Sequence, residues 1–279
     1  MTSSGAPCPD WRGNPPRIMG ILNATPDSFS DGGRWNTVDR ALAAAETMLE
    51  AGADLIDVGG ESTRPGAEPV ALDDELARVV PVIEAIRDRF ACPLSVDTSA
   101  PEVMTRVVEA GACLINDVRG LSRPGALDAA AASGASVCVM HMRGEPTTMD
   151  KRTDYDDLVG EVIGHLEQRI AAVRAAGVSG ERILVDPGFG FAKTTAQNFA
   201  MLRRLHEFES LGVPLLVGMS RKRMIGEATG QAVDRRAVGS AAAALLAAER
   251  GAAVLRVHDV EATRDALSVW RSMETSVSS

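Results

Sequence analysis

The sequence lacks long apolar runs, a signal-peptide core and paired cysteine motifs. No 18 apolar residues run together, and residues 1–16 contain no apolar segment, so neither membrane insertion nor secretion is indicated. The four cysteines show no CxxC spacing, which argues against a zinc ribbon or a redox motif. We therefore expect a cytoplasmic protein with reduced, structural thiols.

An excess of basic residues is also missing. The chain of 279 residues has 29 Lys and Arg against 38 Asp and Glu, a formal net charge of −9. Nucleic-acid binding relies on basic surface, so this balance argues against that class of partner. An anionic small molecule would need a local basic cluster.

Short aliphatic runs alternate with Ala-rich segments of helical spacing, the pattern of βα units around a parallel sheet. The predicted strands are 17–22, 54–58, 93–97, 113–117, 136–140, 182–186, 214–218 and 254–258. The predicted helices are 38–51, 73–89, 101–110, 125–133, 157–176, 196–209, 236–250 and 261–273. Several helices end in a Gly-Ala pair before the next strand, as in "EAGAC" and "ASGAS".

Eight such units without a linker predict an α/β fold with a single (β/α)8 barrel. We expect a flexible N-terminal extension over 1–16, the barrel over 17–274 and a tail over 275–279. Two ordinary domains are the alternative.

Polar residues collect where the predicted strands end, the edge that carries the chemistry in such barrels. They are Asn23, Glu61, Thr63, Arg64, Asp97, Asn116, Asp117, His141, Asp186, Lys222, Arg256 and His258. Each has an ordinary structural explanation when taken alone, such as a helix cap for Asp97 or Asp186, or a turn for Asn116. Their convergence on one rim favours a functional site.

The residue types at this rim suggest a ligand with two halves. Asp97, Asn116 and Asp186 suit a flat heterocycle with adjacent N–H donors. Lys222, Arg256 and His258 concentrate positive charge at the usual phosphate position of the fold. Asn23, with Asp27 or Asp31, could help to hold Mg²⁺. We find no zinc-type cluster, and "GFGFAK" lacks the dinucleotide-binding pattern.

Eight segments in order resemble dihydropteroate synthase, a family of pterin-binding barrels. They are "GILNATPDSFSDGG", "DVGGESTRPGA", "SVDT", "IND", "VMHMRG", "LVDPGFGFAK", "SRKR" and "RVHD", spanning about 17–270. The resemblance implies condensation of 6-hydroxymethyl-7,8-dihydropterin pyrophosphate with p-aminobenzoate to 7,8-dihydropteroate and pyrophosphate, with sulfonamides as competitive inhibitors. It also implies a homodimer formed through the late helices.

The resemblance assigns a role to each site residue. The residues implied to bind the pterin are Asp97, Asn116, Met140, Asp186, Lys222 and Arg256. The residues implied to bind the pyrophosphate are Asn23, Thr63, Arg256 and His258, and Mg²⁺ is implied to bind at Asn23. Those implied for p-aminobenzoate are Phe29, Arg64, Pro65, Phe191 and Ser220, and those implied for catalysis are Asp31, Lys222, Arg256 and His258.

The family also explains an aromatic ring in a polar loop. The loops after the first two strands would close over bound pterin, with Phe29 as a wall of the second pocket and Asp31 facing a developing cation. Two alternatives stay open: a methyltetrahydrofolate–corrinoid methyltransferase with a similar barrel, and a non-catalytic pterin-binding subunit.

Overall fold

The computed structural model describes residues 6–13, 15–24, 34–61, 70–145 and 147–276, and for residues 34–37 it describes the backbone alone. Within these ranges no helix is long and apolar enough to cross a membrane.

Eight parallel strands form one closed barrel in chain order. They are β1 (Arg17–Asn23), β2 (Leu55–Gly59), β3 (Leu94–Asp97), β4 (Leu114–Asp117), β5 (Ser136–Met140), β6 (Ile183–Asp186), β7 (Leu215–Val217) and β8 (Ala252–Val257). The predicted single (β/α)8 barrel is therefore confirmed, and the two-domain alternative is wrong. Strands β2 to β7 are buried along their whole length because helices cover the outside of the barrel.

The helices in the described ranges surround this barrel. They are α1 (Arg34–Glu50), α2 (Leu72–Arg89), α3 (Pro101–Ala110), α4 (Ala126–Ser133), α5 (Leu158–Ala175), α6 (Thr195–Arg203), α7 (Arg223–Thr229), α8 (Ala237–Glu249) and α9 (Val260–Ser276). The short α7 was not predicted, and the predicted helix 196–209 runs past the end of α6 into the 3-10 segment Leu205–Leu211. The predicted glycine ends are confirmed, since Gly111 and Gly134 have φ of 121° and 75°.

An apolar floor closes the lower barrel. It contains buried side chains from every strand except β3, namely Met19, Leu55, Leu114, Cys138, Leu184, Leu216 and Val254. Two residues further along four of these strands stand Asp57, Asn116, Asp186 and Arg256. Because side chains alternate across a strand, this two-residue step keeps them inside the barrel and raises them to its carboxyl end.

The predicted N-terminal extension has a packed part. Trp11 is 3% exposed and belongs to the apolar floor, and its Nε1 donates to Ser136 Oγ at 3.0 Å. Cys8 Sγ donates to the carbonyl of Cys113 at 2.8 Å. Flexibility was expected here, whereas the structure packs Cys8 and Trp11 against the base of the barrel, because a large apolar ring at the floor gains from burial. At the other end α9 includes Thr275 and Ser276, which were expected to lie in the tail.

Candidate active site

A buried ion-pair network occupies the carboxyl end of the barrel. Arg256 on β8 donates from Nε to Asp57 Oδ2 at 2.6 Å and from Nη2 to Asp97 Oδ2 at 2.9 Å. Asp57 is fully buried and Asp97 is 7% exposed. One guanidinium therefore bridges β2 and β3 across the barrel mouth, and its plane is fixed by two carboxylates.

Asp57 is a site residue that the sequence did not lead us to predict. Its Oδ1 accepts from Ser95 Oγ at 2.6 Å, and its Oδ2 accepts from Asn116 Nδ2 at 3.3 Å as well as from Arg256. These contacts fix the orientation of the Asn116 amide. The signal was present: Asp57 follows the floor residue Leu55 by two positions, the same step that separates Leu114 from Asn116.

The pKa of Asp97 reflects its burial and the charged groups around it. Burial raises the pKa of Asp97 to about 7 against the opposing effect of Arg256, and Asp57, Asp117 and Glu61 raise it further. The carboxyl group therefore changes charge near neutral pH in the ligand-free chain. A ligand that offers N–H donors would favour the ionised form.

Asp186 lies on the opposite side of the mouth, at the end of β6. Its Oδ1 accepts from the backbone N–H of Gly188 at 2.7 Å. Burial raises its pKa, while Lys222 acts in the opposite direction. Burial lowers the pKa of Lys222 to about 8. The carboxylate of Asp186 thus lies near the ammonium of Lys222, and both groups have shifted pKa values.

Lys222 also contacts the loop after β6. Its ammonium donates to the carbonyl of Phe189 and lies 4.6 Å from the centroid of the Phe191 ring. Phe191 packs in an apolar cluster with Met140 and Met149. The residues predicted for the heterocycle and for the aromatic substrate therefore meet at one wall.

His258 and Ser220 are coupled at the ends of β8 and β7. His258 Nδ1 lies 3.0 Å from Ser220 Oγ, which also accepts from the His258 backbone N–H at 3.1 Å. Ser220 is 6% exposed. This geometry gives Ser220 a role in orienting the imidazole, in addition to the substrate contact that the sequence predicts.

Other rim residues have structural roles. Asp117 accepts from Ser99 Oγ, from the Arg119 N–H at 2.8 Å and from the Leu121 N–H at 2.7 Å, so it stabilises the turn after β4. Glu61 lies 3.5 Å from Arg119. These contacts hold both carboxylates in place at the rim.

Asn23 ends β1 beside Gly59 of β2 and is half-buried. An amide oxygen suits a hard cation such as Mg²⁺, but a full site needs further oxygen ligands. In the part of the chain that the structure describes, no group of three or more His, Cys, Asp or Glu could hold a metal ion. Asn23 alone therefore offers one oxygen ligand, and the predicted magnesium site stays a prediction.

Six predicted site residues lie outside the described residues. They are Asp27, Phe29 and Asp31 after β1, and Thr63, Arg64 and Pro65 after β2. Their predicted roles stay predictions. The other predicted residues meet at one rim, where acceptors face a guanidinium and an ammonium. Such a site can read a flat N–H-bearing ring and stabilise an anion beside it.

Comparison with known proteins agrees with this geometry. The family model described as "Pterin binding enzyme" matches residues 19–258. The dihydropteroate synthase of Escherichia coli K12 is 52% identical over 254 residues, which cover 91% of this chain and 90% of the relative.

Three solved structures of dihydropteroate synthases are also similar. The Xanthomonas albilineans enzyme with 4-aminobenzoic acid has a TM-score of 0.89 at 54% identity, and its complex with 7,8-dihydropteroate has 0.86 at 51%, each covering 94% of this chain and of that protein. The Yersinia pestis enzyme with a sulfonamide drug has a TM-score of 0.91 at 48% identity, covering 99% of each chain. This chain therefore belongs to the dihydropteroate synthase family of pterin-binding enzymes.

Proposed function

We propose that this chain condenses 6-hydroxymethyl-7,8-dihydropterin pyrophosphate with p-aminobenzoate, giving 7,8-dihydropteroate and pyrophosphate. The observation that carries the proposal is the buried rim of acceptors around Arg256, in a chain with half its sequence identical to dihydropteroate synthases. A related enzyme from Xanthomonas albilineans binds 4-aminobenzoic acid and 7,8-dihydropteroate in solved structures.

The pterin half binds deepest in the barrel. Asp97 and Asp186 accept from its ring N–H groups, and Asn116, oriented by Asp57, supplies amide contacts. Arg256 stacks over the ring, and Met140 packs at the edge of the site. Ionised Asp97 and Asp186 then stabilise positive charge that develops on the ring as the leaving group departs.

Pyrophosphate departs toward the cationic side of the rim. Arg256 and His258 receive its negative charge, with Asn23 and Thr63 as neutral contacts. We propose that Asn23 also holds Mg²⁺, which would neutralise charge on the phosphate oxygens when bound. The C–O bond to pyrophosphate breaks early and leaves positive charge delocalised over the pterin. The amine nitrogen of p-aminobenzoate then forms the new C–N bond to the pterin methylene carbon and loses one proton.

The second substrate binds outside the pterin. Phe191 and Ser220, with Phe29, Arg64 and Pro65 from the two loops, form its pocket, and Asp31 faces the developing cation. Since a sulfonamide binds the similar Yersinia pestis enzyme, we infer that sulfonamides compete here with p-aminobenzoate.

The function is tested by incubating the purified chain with both substrates and Mg²⁺. We expect equimolar 7,8-dihydropteroate and pyrophosphate, and no product when p-aminobenzoate is omitted. Binding of pterin pyrophosphate without turnover would support the non-catalytic alternative. Methyl transfer from methyltetrahydrofolate to a corrinoid, without pyrophosphate release, would support the methyltransferase.

We also propose a homodimer through α8 and α9. These helices expose Val238, Leu246, Val269 and Met273, which are 81%, 41%, 73% and 53% exposed. A dimer would cover these apolar side chains. Sedimentation analysis of the native chain and of Val269→Asp tests this, and we expect the variant to dissociate. The cytoplasmic location expected from the sequence stays a prediction.

A further inference from the structure

Lys193 is a buried lysine behind the active-site rim, and it has no part in the proposed reaction. Only 3% of the residue is exposed. Its Nζ donates to the carbonyls of Gly188 at 2.9 Å and Phe191 at 3.0 Å, and lies 3.0 Å from His141 Nδ1. These three partners are uncharged, because burial lowers the pKa of His141 to about 2. Burying an ionisable group without a charged hydrogen-bond partner costs free energy, which suggests that Lys193 has a role beyond packing.

The hydrogen bonds survive a change in the charge of Lys193. Burial lowers the pKa of Lys193 to about 7. An ammonium donates to both carbonyls and to His141 Nδ1, whereas a neutral amine donates to both carbonyls and accepts from the other tautomer of the imidazole. Either form can therefore hold the backbone in place.

The loop that Lys193 holds contains several residues with positive φ angles. Gly188, Gly190 and Ala192 have φ of 72°, 77° and 51°. A Cβ on Gly188 would lie 1.9 Å from the carbonyl oxygen of His141, so the loop packs directly on the chain after β5. Since a non-glycine residue with positive φ is costly, external contacts must maintain this conformation.

Further contacts hold the same loop. Asn198 Oδ1 accepts from the Gly190 N–H at 2.7 Å, and its Nδ2 donates to the Lys193 carbonyl at 3.2 Å. Tyr155 Oη donates to the Ala192 carbonyl at 3.1 Å. Among these groups Lys193 alone bonds both ends of the Gly188–Phe191 turn.

The held loop carries the Phe189 carbonyl and the Phe191 ring, and both lie against Lys222. Lys222 donates to the Phe189 carbonyl and places its ammonium 4.6 Å from the centroid of the Phe191 ring. The Phe189 carbonyl, the Phe191 ring and the Lys222 ammonium thus depend on one backbone conformation. A shift of the Phe191 carbonyl would move the ring toward or away from the p-aminobenzoate side of the rim.

We propose that Lys193 is a positioning residue for the p-aminobenzoate pocket: it fixes the Gly188–Phe191 turn so that the Phe191 ring and the Lys222 ammonium keep their places. This inference rests on the proposed function. Lys193 itself does not touch the substrate, and it acts through the two carbonyls. A residue needed only for folding would lower stability without distinguishing the two substrates.

The test compares Lys193→Met with Lys151→Met, since the chain has three lysines and Lys151 is exposed. We expect Lys193→Met to raise KM for p-aminobenzoate about tenfold, while the dissociation constant of pterin pyrophosphate changes less than about threefold. Lys151→Met should match the native chain in both. Melting temperatures, recorded on the same samples, show that each variant is folded.

Two further variants test the same proposal if Lys193→Met does not fold. Lys193→Gln retains one donor group, and Tyr155→Phe removes a contact at the neighbouring carbonyl of the loop; both should raise the same KM by a smaller factor. A folded, active Lys193 variant with an unchanged KM, or with equal losses for both substrates, would overturn the positioning role alone. A native chain that forms no dihydropteroate would overturn the proposed function and this inference with it.

Discussion

Replacing Asp57 by asparagine should shift the pH dependence of pterin binding. Asp57 raises the pKa of Asp97, which burial places at about 7, and both carboxylates bond the same guanidinium. A protonated Asp97 loses one acceptor, so pterin affinity should fall by up to about tenfold for each pH unit below 7. Removing the negative charge of Asp57 should lower the pKa of Asp97, so that the loss begins at a lower pH.

The size of the shift follows from Coulomb's law. Two unit charges roughly 5 Å apart at an effective dielectric constant near 20 repel by about 3 kcal/mol. Since about 1.4 kcal/mol corresponds to one pH unit, and relaxation of Arg256 absorbs part of the change, we expect a shift of about one to two pH units. The new asparagine side chain keeps one oxygen acceptor in nearly the same shape, so the geometry can persist with a weaker bond to Arg256.

Calorimetric titration of pterin pyrophosphate between about pH 5 and pH 8.5 measures this shift, since the range spans the titration of Asp97. Ser95→Ala is the matched control, because it removes a hydrogen bond to Asp57 and leaves the charge in place. Thermal unfolding must show that each variant is folded. A midpoint that stays near pH 7 in Asp57→Asn, or that rises, would refute the electrostatic coupling between the two carboxylates.

Three more substitutions probe the predicted roles. Asp186→Asn turns an acceptor into a donor facing the pterin's donors, at a cost of about 2–4 kcal/mol, so calorimetry should show at least tenfold weaker pterin binding; unchanged affinity would remove Asp186 from the site. His258→Ala should weaken binding of pterin pyrophosphate much more than binding of the pterin alone, and equal losses would count against a phosphate contact. Phe29→Ala should raise KM for p-aminobenzoate on the order of tenfold and leave pterin affinity nearly unchanged; a lower melting temperature with an unaltered p-aminobenzoate constant would contradict the lid hypothesis.

The barrel could be predicted because its signals are local and repeated. Each strand is a short apolar run, and glycines such as Gly111 and Gly134 mark the helix ends before the next strand. The short α7 was missed because it lies in a segment whose basic residues suggest a binding loop, and tertiary contacts decide whether seven residues form a helix.

The members of the site could be predicted, but not the bonds among them. Strand ends identified Asp97, Asn116 and Arg256, since parallel strands finish at one edge. The bridge from Arg256 to Asp57 spans 199 residues of sequence and depends on how the strands are staggered around the barrel. Asp57 was overlooked because it lies inside β2, although the two-residue step from Leu55 placed it on the inner face.

The burial of Trp11 should report a late step in the folding of the barrel. Its apolar partners include Met19 on β1 and Val254 on β8, and its hydrogen-bond partner is Ser136. These groups come together only when the first and last strands have paired, so the indole enters a dry environment at the end of the folding reaction. In a chain whose other two tryptophans, Trp35 and Trp270, are replaced by Phe, stopped-flow fluorescence would therefore record the closure of the barrel as its slowest resolved phase.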